Sequence, residues 1–372
     1  MKRRVHALVI PLLLAALTSP AAAASTVVVS PTHMDGWAED STPPANVTFV
    51  NGPGTPPLGV GSARFQVDAT GATDAELRNG LYNGISLGAI SSVNYWTWVT
   101  KNGGGLNNSC QAVYILLNVD RYNTGTVDDF LFFEPCYQNG TYSTLSYSGP
   151  VPNQCGSNPA CVSFNTWQFW NAKIGGWWSA DDSAGGPPLT TLSAYAAQYP
   201  MAVIRNGVGP TKGGVRLTAG FGGPTDWGQF DGNTDAFTIG IAGRRTVTYN
   251  FEPAGACQRG GGDGDFEDKD GHKHHAHFDK NSCDNGSGDV EDDDRDSGKH
   301  FQSTSVSSAT FTSDLDGNTL TMVGMGLDDG LPVGFTMIAV DYGGLTPSVF
   351  TLTLTNGRSF TGALVNGILS VE

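Results

Sequence analysis

Charge is scarce in this chain, and positive charge scarcer still. Charged residues make up 15% of 372 positions, against roughly 25% in an ordinary soluble domain, so long solvated helices laced with ion pairs are excluded as its main architecture. Lys and Arg number 20 against 35 Asp and Glu, for a net charge of −15, and no basic cluster interrupts the deficit. Nucleic acid is therefore excluded as a partner, because phosphate binding needs grouped Lys and Arg. Beyond the first 25 residues no stretch approaches the ~20 apolar residues of a membrane helix. Histidine is almost absent from the first two thirds: between Thr26 and Gly255 only His33 occurs, which leaves a serine nucleophile there without a downstream base. Tryptophan is absent after Trp227.

What is present begins with a leader. Lys2, Arg3 and Arg4 precede an apolar run from Leu8 to Leu17 and the small residues Ala21, Ala22, Ala23 and Ala24. This is the pattern of a secretory signal peptide over 1–24, and it places the mature chain outside the cell. Six cysteines in an exported chain point to disulfides. Spacing suggests Cys155 with Cys161 across a Gly/Asn/Pro turn, Cys257 with Cys283 around a His-rich acidic stretch, and Cys110 with Cys136 between adjacent strand regions.

Gly reaches 50 residues, and from Thr26 to Pro253 short runs of β-formers alternate with Gly, Pro, Asn and Asp. The pattern predicts two packed antiparallel sheets over 25–254. Two helices are expected to interrupt them. Thr73 and Glu76 form a capping box stopped by Gly80, and Leu192, Tyr195, Ala196 and Tyr199 make an apolar stripe closed by Pro200. Residues 255–298 read as an acidic, His-rich linker, too polar to fold by burial. Residues 299–372 read as a small β module with hairpin turns at Asp316-Gly317-Asn318, Asp329-Gly330 and Asn356-Gly357.

The first module carries a resemblance. Asp35-Gly36-Trp37, the block Gly52 to Ser62, the segment Phe164 to Trp178, and Asp235 to Gly240 followed by Tyr249 to Glu252 resemble secreted bacterial jelly rolls of the concanavalin A-like or laminin G-like kind. The likeness spans most of residues 30–253. It implies an all-β antiparallel jelly-roll sandwich, a fold that serves glycan binders and glycosidases alike. The last module resembles C-terminal modules of other secreted bacterial proteins, a likeness that implies no chemistry.

Sugar faces stack on Trp and Tyr while polar side chains read hydroxyls, so the indoles are the first candidates for a ligand site. They are Trp96, Trp98, Trp167, Trp170, Trp177, Trp178 and Trp227; burial between the sheets is the alternative for each. Gly84-Ile85-Ser86-Leu87-Gly88 matches G-x-S-x-G, but a strand follows it, so Ser86 reads as a turn serine. Among carboxylates, Asp128, Asp129 and Glu134 are the nearest to a catalytic pair, on a strand whose Phe130 to Phe133 suggest burial. No catalytic residue is assigned. Asp231, Asn233 and Asp235 offer oxygen ligands for calcium, or a hairpin turn bonding its own backbone. His272, His274, His275 and His277 are candidate metal ligands, sharing faces in pairs if extended. The resulting expectation is a secreted, non-catalytic binder of a glycan or cell-surface ligand. A polysaccharide hydrolase and a structural surface protein are the competing classes.

Overall fold

The computed structural model describes residues 24–255, 257–284, 288–344 and 346–372; the expected leader up to residue 23 lies outside them. The described chain is all-β, with one α-helix at Leu192–Gln198. Residues 24–251 form two sheets. One runs Ala24–Val29, Thr246–Phe251, Asp231–Ile241, Gly61–Gln66 and Asn46–Asn51, with Ile90–Lys101 on the other side of Asp231–Ile241 and Gln168–Asn171 beyond it. The other runs Thr190–Thr191, Gly176–Ser179, Asp129–Phe133, Tyr114–Asp120, Val215–Gly220, Asp74–Asn79 and Trp37–Glu39, with Val203–Ile204 also pairing on Tyr114–Asp120.

Period-two alternation decides which residues lie between the sheets. Ile115, Leu117, Leu131, Phe133, Leu217, Ala75 and Leu77 face inward from the second sheet and meet Phe65, Tyr95, Phe237 and Tyr249 from the first. Trp37 stands edge-on to Phe237, Tyr249 and Phe251 with ring centroids 5.3–5.5 Å apart. Three tyrosines carry polar contacts across the apolar layer: the Tyr82 and Tyr249 hydroxyls are 2.9 Å apart, and Tyr95 donates to the Val113 carbonyl at 2.9 Å. Each buried hydroxyl thereby keeps a partner.

The expected helix at Leu192 is present, its N-cap Thr191 accepting from the Ala194 amide at 3.1 Å. The helix expected after Thr73 is not. Asp74–Asn79 is a strand, because Ala75, Leu77 and Asn79 alternate inward against Asp74, Glu76 and Arg78 outward, and sheet pairing on Val215–Gly220 outweighs a local capping signal. Disulfides join Cys110 to Cys136, Cys155 to Cys161 and Cys257 to Cys283, the set expected from spacing.

The segment read as a solvated linker is also corrected. Arg259–Glu267, Lys273–Asn281 and Asp289–Asp294 are the first three strands of a closed eight-stranded barrel, completed by His300–Ser313, Asn318–Asp328, Leu331–Asp341, Val349–Leu354 and Ser359–Val371. Each strand pairs antiparallel with the next, and the last returns to the first. Glycine supplies three of the inward positions of the opening strand, and Phe266 the next. A Cβ on Gly262 would sit 2.4 Å from the Phe278 ring, and one on Gly260 2.7 Å from Leu320. Large neighbours thus fill space that side chains on this strand would occupy, while Asp263, Asp265 and Glu267 point outward.

Arg245 ties the sandwich to the barrel. Its buried guanidinium donates to Ser25 Oγ at 2.9 Å on one side, and to Asn318 Oδ1 at 2.8 Å, Asp314 O at 2.5 Å and Gly317 O at 3.1 Å on the other.

Candidate ligand cleft on the second sheet

The outward face of the second sheet is a cleft of about 430 Å³, within the ~300–1,000 Å³ of small-ligand sites. Strand register builds its floor. Arg78, Arg216, Leu116, Phe132 and Trp178 stand opposite one another in a single cross-strand row. Glu76, Thr218 and Tyr114 form the row beside it, and Glu134 follows where Asp129–Phe133 ends. Phe132 and Trp178 are stacked face to face at 3.8 Å. The walls are Phe130 and Tyr137 on one side and the loop Phe221 to Trp227 on the other, with Trp227 tilted on Tyr114 at 5.6 Å. Phe221 is 73% exposed with φ of 74°, a conformation that non-glycine residues rarely hold, so its ring is presented to solvent at a cost in backbone strain.

The polar groups of the cleft divide into committed and free. Glu76 is buried and committed: Arg78 Nε lies 2.7 Å from one oxygen, while Arg216 Nε and Thr218 Oγ1 bond the other. Arg216 is thereby neutralised. Asp74 has an unspent oxygen, since among the described residues its buried Oδ1 has no hydrogen-bond partner although the residue lines the cleft. Such an atom loses its hydration without compensation unless a donor enters. Glu134 accepts from Trp178 Nε1 at 3.2 Å. Burial raises its carboxyl to about 7, the indole bond opposes the shift, and the charge of Asp226 adds to it. Below that pH Glu134 is a hydrogen-bond donor, so the cleft offers one donor acid, one unpaired acceptor and several rings.

The seven indoles named from sequence are divided among three places. Trp178 and Trp227 line this cleft. Trp96, Trp98 and Trp167 lie half-buried on the outer face of the first sheet, paired as Trp96 with Phe169 and Trp98 with Trp167. Trp170 and Trp177 are corrected to core: both are 0% exposed, their N–H groups bonded to Thr97 Oγ1 and the Ala172 carbonyl at 2.8 Å. The acids nearest to a pair are separated. Asp129 faces inward and accepts from Tyr195 Oη at 2.6 Å and Ser179 Oγ at 2.7 Å, whereas Glu134 faces the cleft. Ser86 caps a single 3₁₀ turn, accepting from the Gly88 amide at 3.3 Å.

The oxygen-ligand set lies along a strand instead of a hairpin turn, and each side chain has a protein partner. Asp231 pairs with Arg64 at 2.5 Å, Asn233 donates to Ser62 Oγ at 3.0 Å, and Asp235 accepts from the Leu58 and Phe251 amides at 3.0 Å. Of the histidines, His274 points into the barrel, stacked on Phe360 at 3.6 Å and bonded to Asp292 at 2.8 Å. His272 sits in a turn beside Asp268, and His275 and His277 face outward near Asp263. Among the described residues no three His, Cys, Asp or Glu side chains are grouped so as to hold a metal ion, and no helix is long and apolar enough to cross a membrane.

The chain matches no family model, no curated protein and no solved structure.

Cleft residues that sequence reasoning missed are Asp74, Tyr114, Arg216 and Phe221. For the first three a signal existed: each occupies the outward phase of an alternating strand whose inward phase is Ala75/Leu77, Ile115/Leu117 or Leu217/Ala219. Phe221 carried none, since its loop conformation depends on packing remote in sequence.

Proposed function

We propose that the chain is a secreted, non-catalytic saccharide-binding protein whose first module is a concanavalin A-like jelly roll and whose ligand occupies the cleft on the second sheet. The observation that carries this reading is the unpaired buried Oδ1 of Asp74 in a cleft also lined by the exposed rings of Phe130 and Phe221: a hydroxyl-rich ligand with flat apolar faces satisfies both at once. Three disulfides support an oxidising compartment. Calorimetric titration against soluble polysaccharides tests the reading. Phe130→Ala and Asp74→Ala are each expected to weaken binding at least tenfold, ~1.4 kcal/mol. Equal affinity in wild type and both variants would overturn it.

A polysaccharide hydrolase is the second reading, favoured by the one group it needs most: an acid kept protonated near neutrality inside a cleft, Glu134. Against it stands Glu76, whose oxygens are both taken by Arg78, Arg216 and Thr218. Release of reducing sugar by the wild type, abolished in Glu134→Gln, would establish the hydrolase and displace the binder.

A further inference from the structure

We propose a second saccharide site, on the outer face of the first sheet, that takes an uncharged pyranose chain independently of the cleft. The site is a trough of about 450 Å³ between Trp96 and Trp167 on one side and Thr55, Pro57 and Leu58 on the other. Asn94, Ala236, Thr238 and Thr248 make the floor. Rings and small hydroxyls alternate, and no charged side chain lines it. On a chain of net charge −15, an uncharged trough with no cation to attract carboxylates or sulfates admits neutral sugars and disfavours polyanions.

Two donors in the trough are unspent. Among the described residues Trp96 Nε1 and the Asn94 side-chain amide have no hydrogen-bond partner, whereas Trp98 Nε1 donates to Thr100 Oγ1 at 3.2 Å and Trp167 Nε1 to the Pro53 carbonyl at 2.9 Å. Phe169, 43% exposed and tilted on Trp96 at 5.3 Å, extends the ring surface along the sheet. The floor is bulged. Asp235 opposes Trp96 and Thr238 opposes Asn94, so one extra residue is accommodated, with Ala236 at φ of 52°. A bulge with a left-handed alanine is strained, and such strain re-aims side chains beside binding sites.

The facing wall is held open. Leu58 N donates to Asp235 at 3.0 Å, Val60 N donates to Glu252 at 2.9 Å, and Trp167 fastens Pro53. A loop tied at three points loses little freedom when a ligand arrives, so the trough is preorganised.

Retention on immobilised polysaccharides separates the two sites. The panel comprises cellulose, mixed-linkage glucan, xylan and mannan as neutral members, with alginate and polygalacturonate as anionic ones. A chain carrying Phe130→Ala and Asp74→Ala, which silences the cleft, is expected to remain bound to at least one neutral polysaccharide and to neither anionic one. Adding Trp96→Ala is expected to reduce that retention at least tenfold, and Asn94→Ala, which leaves the ring wall intact, to reduce it several-fold. Circular dichroism of each variant checks the fold. The trough is overturned if the cleft-silenced chain is retained by no neutral polysaccharide, if it binds only the anionic ones, or if Trp96→Ala and Asn94→Ala change nothing. Failure of the cleft alone has a different signature: cleft variants indistinguishable from wild type, with Trp96→Ala removing all retention.

Discussion

At the scale of single residues, burial sets the protonation behaviour. Desolvation raises Glu134 and Asp235 to about 7 and Asp35 to about 6. A carboxyl whose folded pKa exceeds its unfolded value stabilises the fold fully below the unfolded value and loses that contribution as pH rises through the folded one. These three groups therefore make the protein less stable as pH climbs from about 4 to 7. Asp40 and Asp294 act oppositely: held below the usual carboxylate range by hydrogen bonds and charged neighbours that outweigh their burial, they lose their contribution as pH falls below about 4. Thermal melting is expected to be highest in the mildly acidic range and to fall on both sides; a maximum at pH 8 or above would contradict this assignment. The same residue gives a functional prediction. Loss of the Glu134 proton as pH passes about 7 removes a donor from the cleft, so ligand affinity is expected to fall between pH 6 and 8; glutamine mimics the protonated acid, so Glu134→Gln is expected to abolish that fall, read by titration at both values.

At the scale of elements, glycine is where the sequence misleads. Gly260, Gly262 and Gly264 fall in the stretch read as an acidic linker, yet they occupy the inward phase of a strand whose outward phase is Asp263, Asp265 and Glu267. Polarity and glycine content argued for a linker because period-two alternation is invisible when the inward residue has no side chain. The strand is legible only from its partners, Phe278 and Leu320, which fill the vacated space. Gly262→Ala is accordingly expected to destabilise the barrel by about 1–3 kcal/mol through overpacking, measured by denaturant unfolding. An unchanged midpoint would show that the Phe278 ring is free to move aside. The Cys257–Cys283 bond closes the open end of this first hairpin across a separation of 26 residues. Replacing both cysteines with serine is expected to cost about 3 kcal/mol. Elements with apolar alternation, such as Val215–Gly220 and Thr246–Phe251, were legible directly. Asp74–Asn79 was not, because Thr73 and the outward Glu76 imitate a helix capping box.

At the scale of the whole molecule, sandwich and barrel have separate apolar cores and share Arg245 as a strut. The guanidinium has few substitutes, since its donors reach Ser25 on one module and three oxygens of the Asp314–Asn318 turn on the other. Arg245→Met keeps the stem and removes the donors, leaving buried carbonyls unpaired. The variant is expected to melt in two calorimetric transitions where the wild type melts in one; a single unshifted transition would show that the modules are coupled by other contacts. The sandwich architecture was readable from turn spacing, but the site was not, because a cleft assembled from five strands of one sheet depends on strand order that no local pattern encodes.

Hydrogen–deuterium exchange with and without each of a panel of soluble polysaccharides tests the cleft most directly. At least one polysaccharide is expected to slow exchange in residues 72–76, 130–134 and 220–228 together, the segments that carry Asp74, Glu134 and the Phe221 to Trp227 wall. If every polysaccharide that binds leaves all three segments unchanged, or if none binds at all, the second sheet is not a saccharide site.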